Sequence, residues 1–291
     1  MLGADLIGFH TPGYALNFLD CCRDLLGLRV DRGRGCVFNS SSTTRVGAYP
    51  IGVPVDYFQG LRSDPKVRRR LARINRTVKV DRIILGVDRL DYTKGLPKRL
   101  RGYERFLEQN PQYHKRVTLV QIAVPSRTRV PEYRALTRQV EELVAHIVTR
   151  FSIEGWLPIR YIYKQYDPEV LVAYYLAADI ALVTPIADGM NLVAKEFVAT
   201  RSRDDGVLIL SELAGAAVEL KDALLVNPYD IDQIALQLKY AVEIDEGERG
   251  RRMRALRTIV EENTLTKWSQ AFLDALLAAN SYATGTSQPL V

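Results

Sequence analysis

Long apolar runs are missing from this 291-residue chain. The longest, around residues 171–187, is interrupted by Asp179 and Pro185, short of the roughly 20 apolar residues that cross a bilayer as a helix. The opening MLGADLIGFH has neither the basic start nor the apolar stretch of a secretory signal. Cysteine is scarce: Cys21, Cys22 and Cys36 are an odd number without metal-ligand spacing, which points to a reducing, cytoplasmic setting. No cluster of His, Asp and Glu has metal-site spacing either, so no metal is expected. Also absent is a single basic stripe with interleaved aromatics, the footprint of a nucleic-acid binder. Lys and Arg number 40 against 34 Asp and Glu, a net charge of +6 with a pI near 9.2. The densest basic cluster, Lys66 to Arg76, gives way to a balanced chain and reads as a solvated helix face. Membrane insertion and nucleic-acid binding are set aside on these grounds, while the small cationic excess suits an anionic small-molecule ligand.

What is present is globular: 47% hydrophobic and 25% charged residues exclude disorder and low-complexity scaffolds. From about residue 82, short apolar runs rich in β-branched residues alternate with amphipathic stretches. RIILGV (82–87), VTLVQIAV (117–124), IRYIYK (159–164), DIALVTP (179–185), GVLILS (206–211) and ALLVNP (223–228) read as buried strands. Between them, LPKRLRGYERFLEQN, VPEYRALTRQVEELVAHIVTRF, PEVLVAYYLAA, NLVAKEFVATR and ELAGAAVEL read as helices, and three further helical segments follow. Each parallel pairing needs a crossover, so this alternation specifies an α/β fold with a doubly wound parallel sheet. Continuous apolarity in the strands means that both sheet faces are covered.

The first 56 residues offer two strands (ADLIGFH and RVGAYPIGV) around one helix (YALNFLDCCRDLLGL), too little to close a core alone. The expected organisation is therefore residues 1–56 as the remnant of a preceding α/β domain, 57–265 as a complete Rossmann-like domain, and 266–291 as a terminal helix with a frayed tail, SYATGTSQPLV. On this reading the chain is cut from something longer.

Ligands of open α/β sheets bind beyond the carboxyl ends of strands, where loops meet helix N-termini. Three such loops are unusual. In GVDRLDYTKGL, Arg89 follows a strand and Lys94 comes near the next helix start, where a cation opposes the helix dipole. Either Asp91 compensates it, or a bound diphosphate does, gripped by a guanidinium fork and an ammonium. In TPIADGMNLVAKEF, Asp188 to Asn191 form a tight turn opening a helix, so N–H groups from Gly189 to Val193 can face an anion. Asp188 and Asn191 read equally as turn and cap residues, and Glu196 as an exposed helix residue. In VPSRTRVPEY, Arg127 and Arg129 follow a third strand end between two prolines. Three cationic or N–H-rich loops at one sheet edge favour a phosphorylated ligand.

VDRLDYTKGLPKR, IAVPSR, DGMNLVAKEF, LSELAGAAVEL and LLVNPYD together resemble the trehalose-6-phosphate synthase family, retaining glycosyltransferases of the two-lobed GT-B fold, over about Asp5 to Leu277. The resemblance implies transfer of glucose from UDP-glucose to glucose 6-phosphate, with this chain as the nucleotide-sugar-binding half. It implies that Arg89 and Lys94 grip the donor diphosphate and that Tyr166 lies beside the nucleotide, where phenylalanine is usual. It implies that Leu192, Val193, Ala194, Lys195 and Glu196 hold diphosphate and ribose, and that Asp188, with Gly189, Met190 and Asn191, lies at the transferred glucose. Arg127 would reach the acceptor phosphate. Arg89, Lys94 and Asp188 are thereby the expected catalytic residues, with no cofactor. The family's N-terminal lobe, with most of the acceptor pocket and an active-site histidine, has no counterpart in the sequence. His10, His114 and His146 lie outside that histidine's motif and read as packing or surface residues, and adjacent Cys21 and Cys22 as helix packing. The alternative is a non-catalytic nucleotide-sugar-binding or regulatory subunit. A homo-oligomer, or association with a full-length subunit, fits either.

Overall fold

The computed structural model describes residues 1–40 and 42–283, and the chain divides into two compact units. One unit joins Met1–Pro54 to the segment from Asn263 onward, and the other is Val55–Glu262. In the first, β1 (Leu6–Phe9) leads into α1 (Pro12–Leu26), followed by β2 (Arg29–Asp31), β3 (Cys36–Asn39) and β4 (Ser42–Ala48). The sheet order is β1-β4-β3-β2, with β1 and β4 parallel and the other pairs antiparallel. The sequence thus holds four strands here, not two. The β2–β3 hairpin is short: Val37 is buried in the core and Phe38 lies under the Arg29 guanidinium at 4.1 Å, but the apolar run Cys36–Phe38 is only three residues long and too brief to read as a strand. Thr11 caps α1 by accepting from the Tyr14 N–H at 3.3 Å, and left-handed Gly27 (φ 62°) ends it. Ala15, Leu19 and Cys22 face the sheet while Cys21 is exposed, so the adjacent thiols do point apart.

The second unit begins with α2 (Val55–Leu61) and α3 (Pro65–Thr77), the helix that carries the basic cluster. Then come β5 (Arg82–Arg89), α4 (Leu96–Gln109), β6 (Val117–Val124), α5 (Pro131–Phe151), β7 (Ile159–Tyr163) and α6 (Pro168–Ala177). The chain continues through β8 (Ile180–Val183), α7 (Leu192–Thr200), β9 (Val207–Ser211), β10 (Leu224–Val226), α8 (Ile231–Glu243) and α9 (Glu246–Glu262). All six strands are parallel in the order β10-β9-β8-β5-β6-β7, the doubly wound sheet expected. Every residue of β8 and β9 is buried, because helices cover both faces.

Two segments differ from the sequence reading. ELAGAAVEL forms only a 3-10 turn over Gly215–Val218. Its backbone N–H groups are used elsewhere: Gly215 donates to the Asp188 carbonyl at 2.9 Å and Ala216 to that of Met190 at 2.7 Å. The terminal helix, α10 (Leu265–Ala283), is no separate appendage but groups with the first unit, where Trp268 donates to the Tyr49 carbonyl at 3.0 Å and Phe272 packs edge-on against the Tyr49 ring. Of the tail expected to fray, residues 284–291 lie outside the described residues.

Winding reverses between β5 and β8, the two strands that flank the switch point. β5 pairs with β6 at eight positions but with β8 only at Ile84↔Ile180 and Leu85↔Ala181. Beyond that pairing the two strands are bridged by buried polar side chains. Arg99 of α4, with no exposure, bonds both carboxylate oxygens of Asp88, the Thr184 hydroxyl at 2.9 Å and the Gln121 amide oxygen at 3.2 Å. Removing one member of a buried ion pair leaves the other charge desolvated, at a cost of about 3–5 kcal/mol. Arg99→Met is therefore expected to lower the unfolding free energy by about that amount, read from the urea midpoint. A loss below about 1 kcal/mol would mean that water reaches the pair.

Candidate active site

The loop after β5 is shaped by its own carboxylate. Asp91 accepts from the Thr93 N–H at 2.9 Å and its hydroxyl at 2.7 Å, capping a 3-10 turn over Tyr92–Lys94. Gly95 then adopts φ 67°, and a Cβ there would lie 2.7 Å from the Thr184 carbonyl oxygen, so the loop closes directly on its neighbour. That neighbour follows β8. The Thr93 carbonyl accepts from Ile186 N–H at 2.8 Å and Ala187 N–H at 3.1 Å, which joins the two loops across the switch point.

Lys94 reaches across the same junction to Asp188, Nζ to Oδ2 at 2.6 Å, both side chains largely buried. The compensating carboxylate is thus Asp188 and not Asp91, whose oxygens are occupied by Thr93 and by the Tyr133 hydroxyl at 2.9 Å. Burial alone would raise the Asp91 carboxyl; the Thr93 and Tyr133 hydrogen bonds and the Arg89 charge outweigh it and hold the group below its ordinary value. Arg89 itself stands exposed at the end of β5.

Asp188 also organises the turn that follows it. Its Oδ1 accepts from the Met190 N–H at 3.3 Å and its Oδ2 from the Asn191 amide at 3.0 Å. Asn191 takes φ 75°, uncommon for a residue other than glycine, and caps α7 by accepting from Ala194 N–H at 3.1 Å. The N–H groups of Leu192 and Val193 have no intrahelical acceptor at such a helix start. Met190 is buried, Gly189 exposed and Leu192 36% exposed. At Gly215 a Cβ would lie 2.0 Å from the Gly189 carbonyl oxygen, so only glycine lets the segment after β9 brace this turn. Lys195 is buried and paired with Glu219 at 2.5 Å, so within the stretch 192–196 its side chain serves the packing.

Glu196 is half-buried rather than exposed, and accepts from the fully buried Tyr175 hydroxyl at 2.7 Å. Arg127, at φ 44°, donates to the Tyr133 hydroxyl at 3.0 Å. Because Tyr133 in turn donates to Asp91, the loops after β5 and β6 are hydrogen-bonded together. Tyr166 stands apart, two strands from β5, with its ring 5.9 Å from that of Tyr174. The structure therefore gathers Lys94, Asp188 to Asn191 and the start of α7 at one point, with Arg127 linked through Tyr133. Tyr133 of α5 and Tyr175 of α6 carry no sequence signal beyond the helical pattern that contains them. The histidines make packing or surface contacts, as at His114, stacked 5.8 Å from Trp156. Among the described residues no group of three His, Cys, Asp or Glu could hold a metal, and no helix is long and apolar enough to cross a membrane.

Burial raises the Glu196 carboxyl above its ordinary 4.5, against the pull of the Tyr175 hydrogen bond. The folded chain therefore keeps this proton to higher pH than the unfolded chain. The contribution to stability is present in full below 4.5 and is lost as pH rises through the folded value. Glu196→Gln, which keeps an acceptor for Tyr175, is expected to abolish that decline and to be neutral or stabilising at pH 7. Thermal midpoints across the acid-to-neutral range check this; a variant that loses stability at pH 7 would mean that the carboxylate is stabilising in place.

The sequence profile of glycosyltransferase family 20 matches residues 1–278. The trehalose-6-phosphate synthase of Mycobacterium bovis is 42% identical over 293 residues, 98% of this chain and 59% of that protein. A solved structure of an alpha,alpha-trehalose-phosphate synthase (UDP-forming) from Burkholderia xenovorans in complex with glucose-6-phosphate superposes with a TM-score of 0.90 at 38% identity, covering 94% of this chain and 60% of that one. An E. coli structure bound with UDP-2-fluoro glucose gives 0.88 at 37% identity, covering 94% and 60%. The chain thus spans about six tenths of the length of these relatives.

Proposed function

Since the chain belongs to glycosyltransferase family 20, we propose that it carries the donor site of a retaining glucosyltransferase that makes trehalose 6-phosphate from UDP-glucose and glucose 6-phosphate. The observation that carries this reading is the Lys94–Asp188 pair at the switch point, directly before the start of α7. A diphosphate arriving there meets the Lys94 ammonium, the Arg89 guanidinium and the N–H groups of Leu192 and Val193. It competes with Asp188 for Lys94, and a carboxylate released from its cation becomes an acceptor for sugar hydroxyls.

In this reading Asp188 then faces the transferred glucose, Glu196 accepts from ribose hydroxyls, and Tyr166 lies beside the base. A carboxylate whose charged form is disfavoured by burial gains most from donors that a ligand brings. As the bond from the glucose anomeric carbon to the leaving diphosphate breaks, negative charge collects on the departing oxygens, where Lys94, Arg89 and the helix N–H groups stabilise it. The acceptor hydroxyl bonds to the anomeric carbon from the same face and gives its proton to the departing phosphate. Arg127 orients the acceptor by its phosphate. The three thiols, with Cys21 exposed, suit a reducing cytoplasm.

The charge pair gives the test. Lys94→Ala should weaken UDP binding in calorimetry by about tenfold to a hundredfold, the range of a charge-assisted contact. Uridine, which lacks the diphosphate, should lose less than about twofold. Equal losses for UDP and uridine would make the loop a structural element and overturn the assignment.

A further inference from the structure

Beside the loop after β6 lies a pocket of about 520 Å³ lined by Thr128, Pro131, Arg134, Thr137, Arg138 and Tyr163. None of these residues belongs to the donor site described above. Arg134 and Arg138 stand one turn apart on the same side of α5, close enough for both guanidinium forks to meet one anion. Like charges at that spacing oppose each other along a helix, and neither arginine has a carboxylate within ion-pair distance among the described residues. Four other exposed arginines of this unit are held, Arg116 by Asp81 at 2.6 Å, Arg150 by Glu104 at 3.0 Å, Arg251 by Glu248 at 2.8 Å and Arg254 by Asp204 at 2.6 Å. What sets Arg134 and Arg138 apart from other exposed arginines outside an ion pair among the described residues, such as Arg101 and Arg203, is that the two stand together at one pocket. Glu132, in the first turn of α5, does not line the pocket.

The remaining walls are of two kinds. Thr128 and Thr137 bring hydroxyls, that of Thr137 donating to the Tyr133 carbonyl at 2.9 Å and so left with acceptor capacity only. Pro131 and the ring of Tyr163, 39% exposed, are apolar. The start of α5 lacks a side-chain cap, since Val130 occupies that position, and the acidic residue of its first turn is Glu132. An unbalanced arginine pair beside a flat apolar wall matches a phosphate monoester on a ring-bearing organic group, the phosphate at the arginines and the ring against Tyr163.

We propose that this pocket is a second anion site, separate from the donor site, that takes a small organic phosphate monoester through Arg134 and Arg138. Phenyl phosphate is the probe, titrated calorimetrically into the full chain, with phenol and inorganic phosphate for comparison. Phenyl phosphate should bind in the millimolar range or better, more tightly than inorganic phosphate, and phenol should give no saturable signal. R134Q/R138Q should weaken it by about tenfold or more, and R134K/R138K, which keeps the charge but loses the forks, by about threefold. Lys94→Ala should leave the affinity within about twofold of the parent. Absence of millimolar binding, affinity unchanged in both arginine variants, or a loss seen with Lys94→Ala instead would each overturn the proposal.

Discussion

The buried pair between Arg99 and Asp88 is the constraint on which the switch point rests. A parallel sheet can part its strands only if something satisfies the polar groups that the gap exposes to a dry interior. Here one guanidinium does so, bonding Asp88 of β5, Gln121 of β6 and Thr184 at the end of β8. The three strands that carry the site loops are thereby tied to a single side chain from α4. Gly86 is part of the same arrangement, since a Cβ there would lie 2.3 Å from the Gln121 amide oxygen.

Beyond that pair, the loops hold one another rather than being held by the core. The Thr93 carbonyl fixes the segment after β8, Asp188 fixes its own turn, and Gly215 seats the segment after β9 against Gly189. Two residues other than glycine with positive φ, Arg127 and Asn191, fall in these loops. Backbone in a sparsely populated region persists where its surroundings over-determine it, and such positions gather at ligand sites. The result is an edge on which the Lys94 ammonium, the Asp188 carboxylate and the start of α7 are held together by the loops themselves.

Much of this was legible. Buried parallel strands announce themselves as continuous apolar runs, so the six strands of the second unit were read within a few residues. The loops themselves were legible too, because Arg89 follows a strand directly and Lys94 sits where a cation opposes the helix dipole, whereas Asp188 reads equally as a turn residue. What sequence could not supply was pairing at a distance. Nothing local says that Lys94 meets Asp188, 94 positions on, rather than Asp91, three positions back. ELAGAAVEL has helical composition, yet tertiary hydrogen bonds to residues 188–190 claim its backbone. Arg99 was readable in principle: it sits on the apolar stripe of α4 between Leu96, Leu100 and Tyr103, where an unpaired cation would be prohibitive. The β2–β3 hairpin left no such trace.

The central claim is that Lys94 changes partner, from Asp188 to a diphosphate, at the switch point of the sheet. A crystal structure of the chain with UDP tests it most directly. The account predicts diphosphate oxygens between Lys94, Arg89 and the Leu192 and Val193 N–H groups, with the Lys94–Asp188 contact opened beyond hydrogen-bonding distance. UDP bound elsewhere on the chain, or bound there with the Lys94–Asp188 pair intact, would contradict it.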